Sequence, residues 1–213
     1  MARLKDGLLG GLSGKIGDVI GYIRYGKAYV KMKTTKPKKK GTVAQLAERE
    51  KMRVVNAFVN SMTQFVRVGF SLEAAKKSHS ANASAKSYQL KYGIGGEYPS
   101  IVIDYPHALV SKGKMDSPLN ALAVAGIDGI SFTWEVSHRN EVYQRQSRVM
   151  LLVYAPGLNK SFFNISGARI MDKTDFMELP PSFKNQLLHA YMAFCADDQK
   201  QISNSVYLGN INY

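Results

Sequence analysis

Residues 148–154 read Arg148-Val149-Met150-Leu151-Leu152-Val153-Tyr154, and this stretch decides the fold that we expect. Successive side chains of a β-strand point to opposite faces, so an extended chain here is apolar on both faces. A short continuous apolar run is typical of a strand that other layers cover on each side. We therefore expect residues 148–154 to form a central strand of a buried sheet.

Further strand patterns surround this central strand from residue 101 to residue 211. They are short runs rich in β-branched and aromatic residues, separated by Gly, Asn, Pro and Asp. Short strands with turn residues between them are typical of an antiparallel sandwich. The predicted strands are 101–111, 121–125, 130–136, 148–154, 176–179, 187–195 and 206–211.

The sole tryptophan, Trp134, lies in one of these predicted strands. Phe132, Trp134 and Val136 share one face of the strand, which predicts that Trp134 is a core residue. A tryptophan on an early strand, a central apolar strand and a tyrosine-bearing strand at 187–195 follow one another in the chain. This order resembles a fibronectin type III or immunoglobulin-like sandwich.

Upstream of the sandwich the pattern is helical. Thr42-Val43-Ala44-Gln45 has the spacing of a capping box, and apolar residues then recur every three or four positions as far as Gly69. A second helix is predicted at 82–92, ended by Gly93. Because a glycine cluster follows it, we predict two domains, 1–95 and 96–213.

The first forty residues contain a predicted hairpin. Its strands are 19–24 and 28–33, and Tyr25-Gly26-Lys27 forms the turn between them. In the second strand Ala28, Val30 and Met32 lie on one face and basic or aromatic residues on the other. The predicted fold class is therefore α+β: an N-terminal hairpin with helices, followed by an antiparallel β-sandwich of the fibronectin type III or immunoglobulin-like kind.

Five local motifs resemble a family of bacterial proteins of unknown function. The motifs are Gly14-Lys15-Ile16-Gly17-Asp18-Val19-Ile20-Gly21, Thr42 to Arg49, Ser111-Lys112-Gly113, Leu187 to Tyr191, and Ile202 to Gly209. The resemblance implies a two-part layout and assigns no activity, cofactor or partner. In that family the loop before the helix reads more like Asn-Pro-Arg-Thr-Pro, and the lysines at 38–40 depart from it.

Nearly all of the charge lies in the first 92 residues. They carry 19 Lys and Arg against 5 Asp and Glu, whereas residues 93–213 carry 10 against 11, so the net charges are +14 and −1. Such asymmetry indicates either a segment that meets a polyanion or a basic segment that is only solvated, and we favour the second for the lysines at 36–40. The candidate polyanion contacts are Lys31, Lys33, Lys36, Lys38, Lys39 and Lys40.

Catalytic and metal-binding patterns are missing from the sequence. Cys195 is the only cysteine, and the four histidines do not have metal-ligand spacing. We predict no catalytic residue, no metal and no cofactor. With neither a signal-peptide pattern nor about 18 consecutive apolar residues, we also expect no membrane span and a cytoplasmic location.

Two hypotheses about function remain. The first is a non-catalytic structural or protein-interaction module, whose partner is a protein. The alternative is a nucleic-acid or other polyanion-binding protein that uses the basic hairpin and the lysines at 36–40. We favour the first, because residues 93–213 are nearly neutral and no known nucleic-acid-binding motif is present.

Overall fold

The computed structural model of the 213-residue chain describes residues 3–4, 11–34, 40–77, 79–139 and 145–213. It divides into two compact units, Met1–Thr42 and Val43–Tyr213, which we call unit 1 and unit 2. The sequence predicts a division between residues 95 and 96 instead. That prediction concerns the independent folding of residues 96–213.

Unit 1 contains a four-stranded antiparallel sheet. Its strands pair in the order of the chain, each with the next. They are β1 (Arg3–Leu4), β2 (Leu12–Ile16), β3 (Val19–Arg24) and β4 (Lys27–Met32). The N-terminal hairpin predicted from the sequence is therefore present, with its second strand beginning and ending one residue earlier than expected.

Unit 2 opens with the helices α1 (Val43–Ser61), α2 (Thr63–Gly69), α3 (Ser71–Lys77) and α4 (Ala81–Tyr92). The single helix predicted between Thr42 and Gly69 is interrupted at Met62, where φ is −121°. The Ser61 hydroxyl donates a hydrogen bond to the Phe58 carbonyl oxygen, and the Thr63 hydroxyl donates one to the Asn60 carbonyl oxygen. Hydroxyls that bond backbone carbonyls in this way compete with the helical ladder, which explains the break.

The helix α4 was predicted almost to its ends. The Ser80 hydroxyl accepts a hydrogen bond from the Ala83 backbone N–H at its beginning. At its end the Gly93 N–H donates to the Gln89 carbonyl oxygen. The short helix α3 was not predicted.

The rest of unit 2 is built from antiparallel strands in three sheets. Their orders are β11-β8-β7, β10-β9-β12-β13 and β5-β6. The strands are β5 (Ile94–Gly95), β6 (Val102–Ile103), β7 (Leu119–Ala125), β8 (Gly129–Glu135), β9 (Arg148–Ala155), β10 (Lys160–Asn164), β11 (Thr174–Glu178), β12 (Leu187–Cys195) and β13 (Val206–Asn212).

The strand β9 is central, as residues 148–154 predict. Its neighbours in the four-stranded sheet are β10 and β12, and seven of its eight residues are buried. Leu151 and Val153 share one apolar core with Phe132 and Trp134 of the three-stranded sheet. The other face of the strand contributes to a second core.

That second core joins the helices to the four-stranded sheet. Leu152 and Tyr154 of β9 belong to it, together with Phe58 of α1 and Phe65 of α2. Unit 2 is therefore layered, with helices on one face of the four-stranded sheet and the three-stranded sheet on the other. The apolar stripe that predicted the helix thus has the central strand as its partner.

Among the strands of unit 2, one prediction is wrong and one strand was not predicted. The strand predicted at 101–111 is a two-residue strand, β6, followed by a hydrogen-bonded turn at Asp104–Ala108. Pro106 lies within that run, and proline cannot donate to a strand ladder. The strand β10 was missed, although it pairs with β9 over its whole length.

Candidate interaction surface

The hairpin of β3 and β4 closes with a two-residue turn. Arg24 pairs with Lys27, and between them Tyr25 and Gly26 have φ angles of 50° and 74°. Positive φ at both central residues is typical of the hairpin turn that matches the twist of the flanking strands. Tyr25 accepts a strained conformation here, while Gly26 adopts it without steric cost.

Strand register sorts the side chains of this sheet onto two faces, since residues opposite each other point to the same side. Lys15 pairs with Ile20, and Ile20 pairs with Lys31. The basic face consists of Ser13, Lys15, Ile20, Tyr22, Arg24, Lys27, Tyr29 and Lys31. The apolar face consists of Leu12, Gly14, Ile16, Val19, Gly21, Ile23, Ala28, Val30 and Met32.

Much of the apolar face is exposed. Val30 is 65% exposed, Met32 70% and Ile16 56%. Gly21 is buried on this face, and a Cβ there would collide with the carbonyl oxygen of Leu12. Leu12 thus covers only part of the face, and several large apolar side chains meet solvent.

On the basic face, aromatic rings lie among the cations. The rings of Tyr22 and Tyr29 stack with their centroids 5.6 Å apart and their planes 18° from parallel. The Lys31 ammonium lies 5.6 Å from the centroid of the Tyr22 ring, and this is a cation–π contact. A surface that carries both cations and aromatic rings can bind anionic groups through the cations and stack planar groups on the rings.

Unit 2 contains a partly buried cluster of one histidine and several tyrosine side chains. The His189 ring stacks on Tyr105 with centroids 3.6 Å apart, and its Nδ1 lies 2.8 Å from the Tyr207 hydroxyl. The Tyr191 hydroxyl donates to the Tyr105 carbonyl oxygen at 2.9 Å. Burial lowers the pKa of His189 and raises the pKa of Tyr105 to about 12.

Cys195 is buried in the second core, and its pKa is raised to about 11, chiefly by burial. A thiol in that state is a poor nucleophile. Within the described ranges, no group of three or more His, Cys, Asp or Glu side chains is arranged to hold a metal ion. In that part of the chain, no helix has both the length and the apolar content that a bilayer crossing requires.

A family model of unknown function, DUF6266, matches residues 11–209. The chain belongs to this family. No curated protein and no solved structure matches the chain. The DUF6266 match spans described parts of both units. All five motifs lie within it, and the last of them ends at its final residue, Gly209. The family carries no assigned activity to transfer.

The lysines predicted as polyanion contacts in this DUF6266 chain have different positions. Lys31 lies on the basic face in β4, while Lys33 and Lys40 are exposed beyond that strand. Lys36, Lys38 and Lys39 lie outside the described residues. Of the three lysines in this set that the structure describes, Lys31 is the one that lies on a strand.

Sequence reasoning missed part of the basic face, above all Lys15 and Tyr22. They belong to β2 and β3, and strand register places them on the same face as Lys31 and Tyr29. The signal that finds them is alternation along β2 and β3 combined with the two-residue turns at Gly17-Asp18 and Tyr25-Gly26, because a turn of known length fixes which residues are opposite.

Proposed function

We propose that this protein is a non-catalytic interaction module that associates with a second copy of itself through the apolar face of unit 1. The observation that carries the proposal is the exposure of Ile16, Val30 and Met32 on one side of a small sheet. Exposed contiguous apolar surface marks interaction sites in folded proteins. A few-stranded sheet also gains stability when its apolar face is covered.

The distribution of charge supports a second copy as the occupant. All cations of β2, β3 and β4 belong to the basic face, so the apolar faces of two copies meet without apposed charges. Stacked sheets lie about 10 Å apart, which leaves the two basic faces on the outside of the pair. Their separation then exceeds the Debye length of about 8 Å at physiological ionic strength.

We further propose that the antiparallel sheets of unit 2 form a fibronectin type III or immunoglobulin-like sandwich. In chain order β7 to β13 correspond to strands A, B, C, C′, E, F and G, with A-B-E in one sheet and C′-C-F-G in the other. This order agrees with the immunoglobulin arrangement, except that the fourth strand pairs with C rather than E. A bacterial origin rests on the quoted motifs and stays a prediction.

The association is tested by sedimentation of the full chain over a range of concentrations. Val30→Thr combined with Met32→Gln should weaken it by more than about tenfold, since each fully buried apolar side chain contributes roughly 1.5–3 kcal/mol. The matched control is Val124→Thr combined with Leu122→Gln, two side chains of unit 2 that are each 62% exposed. Association that is lost in the control and kept in the Val30/Met32 variant would refute the proposal, as would a monomer at every concentration.

A second candidate function is binding of single-stranded nucleic acid by the basic face. The stacked Tyr22 and Tyr29 rings beside Lys31 favour it, because bases stack on aromatic rings while cations contact phosphates. Tyr29→Ala should weaken binding of a labelled oligonucleotide by about 1–3 kcal/mol. Equal binding by Tyr29→Ala and the unmodified chain would exclude stacking as the mode of contact.

A further inference from the structure

A basic cavity of about 590 Å³ lies in unit 2, and its wall includes part of α3, the segment 112–116 and the turn at residues 200–201. Among the described residues, its charged lining consists of the cations Lys76, Lys112, Lys114, Arg139 and Lys200 and the carboxylates Glu73 and Asp116. These described side chains carry a formal charge of +3. Four of these five cations lie in residues 93–213, whose net charge is −1. The local excess of positive charge therefore arises because the fold brings these cations together.

The segment that bears two of these lysines is firmly held. The Lys112 backbone N–H donates to the Gly69 carbonyl oxygen at 2.9 Å, and the Gly113 N–H donates to Asn204 Oδ1 at 3.1 Å. A Cβ at Gly113 would collide with the Ile202 carbonyl oxygen, so only glycine allows this close approach. The backbone on which the lysines are mounted is thus pre-positioned.

The Lys112 ammonium is itself held between two groups. It lies 3.7 Å from Glu73 Oε1 and 5.4 Å from the centroid of the Tyr88 ring, and its side chain remains 38% exposed. A side chain that is already ordered loses less conformational entropy when a ligand binds. Lys112 therefore offers a fixed cation that a ligand can still reach.

A smaller cavity of about 180 Å³ adjoins the first through shared residues, Glu73 and Lys112. Ser84 lines it and is 7% exposed, and its buried hydroxyl has no hydrogen-bond partner among the described residues. A buried hydroxyl without a partner is costly to the fold and calls for an explanation. A ligand group that extends past Lys112 into this smaller cavity would give the Ser84 hydroxyl a hydrogen-bond partner.

We propose that this pair of cavities binds a small organic phosphate that carries at least two negative charges. Lysine ammonium groups bind phosphate as compact point charges, and five cations exceed what the two carboxylates neutralise. Leu72 and Met115 add an apolar wall for the organic part of the ligand. The volume lies within the range of small-molecule sites, about 300–1,000 Å³. The proposal is independent of the role of unit 1.

Calorimetric titration of the full chain with inorganic pyrophosphate tests the site. We expect one equivalent to bind, and Lys112→Gln combined with Lys114→Gln to weaken the affinity by about tenfold or more, because two charge-assisted contacts are lost. The matched control, Lys160→Gln combined with Lys173→Gln, removes the same charge from exposed positions of unit 2. Several bound equivalents, or equal losses in both double variants, would show diffuse charge attraction and overturn the proposal.

A variant that is expected to tighten binding tests the site even if the double lysine variant fails to fold. Glu73→Gln removes the carboxylate that competes for Lys112, so pyrophosphate should bind more tightly than to the unmodified chain. Unchanged or weaker binding by Glu73→Gln would contradict the site. Citrate provides the comparison with carboxylates, and binding of citrate as tight as that of pyrophosphate would refute the preference for phosphate.

Discussion

Trp134 combines burial with a specific hydrogen bond. The side chain is 3% exposed, its indole N–H donates to the Ile170 carbonyl oxygen at 2.8 Å, and its ring meets Phe194 edge to face. The sequence prediction of a core tryptophan is confirmed. Alternation along the strand was sufficient for it, because a residue flanked by Phe132 and Val136 on one face shares their environment.

Replacing Trp134 by Ala should lower the free energy of unfolding by about 3–5 kcal/mol, since it leaves a large cavity in the core. Trp134→Phe should cost less, because it retains most of the apolar volume and loses the indole donor. Urea denaturation followed by circular dichroism measures both. A change of only a few tenths of a kcal/mol for Trp134→Ala would mean that the side chain is not packed in the core.

His189 gives unit 2 a pH dependence whose sign follows from burial. Burial lowers its pKa from 6.5 in the folded state, and the groups that face it are the rings of Tyr105 and Tyr207. Below pH 6.5 the unfolded chain therefore binds a proton more readily than the folded chain. Stability from this residue is present above pH 6.5 and is lost as the pH falls toward the folded pKa.

His189→Gln should accordingly flatten the decline of unfolding free energy between pH 7 and 5. Denaturant titrations at several pH values measure that decline. The matched control is His138→Gln, at an exposed position of the same unit. An identical decline in His189→Gln and the unmodified chain would contradict a depressed pKa at His189.

At the scale of elements, α1 and α2 pack against the four-stranded sheet. Phe58 meets the Tyr154 ring edge to face with centroids 5.0 Å apart, and Phe65 meets Phe163 at 6.0 Å. The Ser161 hydroxyl of β10 donates to the Ser61 carbonyl oxygen at 2.7 Å. The second face of the apolar central strand is therefore covered by helices.

The sequence predicted the apolar helix face and the buried strand separately, but it did not predict that they pack against each other. Periodicity predicted an apolar helix face, and residues 148–154 predicted a strand buried on both sides. Neither pattern carries information about its partner, because periodicity is local and Ser61 and Ser161 are 100 residues apart. The glycines at 95 and 96 predicted a domain boundary, although in the structure Gly95 belongs to β5 and pairs with Val102 of β6.

We expect the fragment 43–213 to unfold cooperatively and the fragment 96–213 to lack a cooperative transition. Removing the helices uncovers the sheet face that contains Leu152, Tyr154 and Tyr191. Thermal melts followed by circular dichroism test the two fragments side by side. A cooperative β-rich melt of fragment 96–213 would instead support the boundary that the sequence predicts.

The candidate interaction surface was predictable to the extent that it depends on one strand. Alternation in residues 28–33 separates Val30 and Met32 from Tyr29 and Lys31. Lys15 and Tyr22 join that surface only through strand pairing, which the turn length fixes. The cavity around Lys112 lay beyond prediction, because it depends on packing between α3, Gly113 and Ile202.

For the whole molecule, the charge asymmetry is concentrated in unit 1. Residues 1–42 carry 11 Lys and Arg against 2 Asp and Glu, a net charge of +9, and residues 43–213 carry the remaining +4. This positive charge opposes self-association but favours polyanion binding. Like charges approach each other in the first, whereas counterions leave the protein–polyanion contact in the second.

The two functions therefore predict opposite responses to salt. Self-association through the apolar face should strengthen or hold between 50 and 500 mM salt, since screening weakens repulsion between copies. For polyanion binding, the logarithm of the association constant should fall linearly with the logarithm of the salt concentration, with a slope of about −0.9 for each duplex phosphate contacted. Replacing Lys36, Lys38, Lys39 and Lys40 by Gln should leave self-association intact, because the apolar face is made of side chains from residues 12–32. Sedimentation and binding of labelled DNA and RNA, measured in the same buffers, separate the cases. Micromolar or tighter nucleic-acid binding near physiological salt that this quadruple variant abolishes would overturn our preferred function in favour of the second.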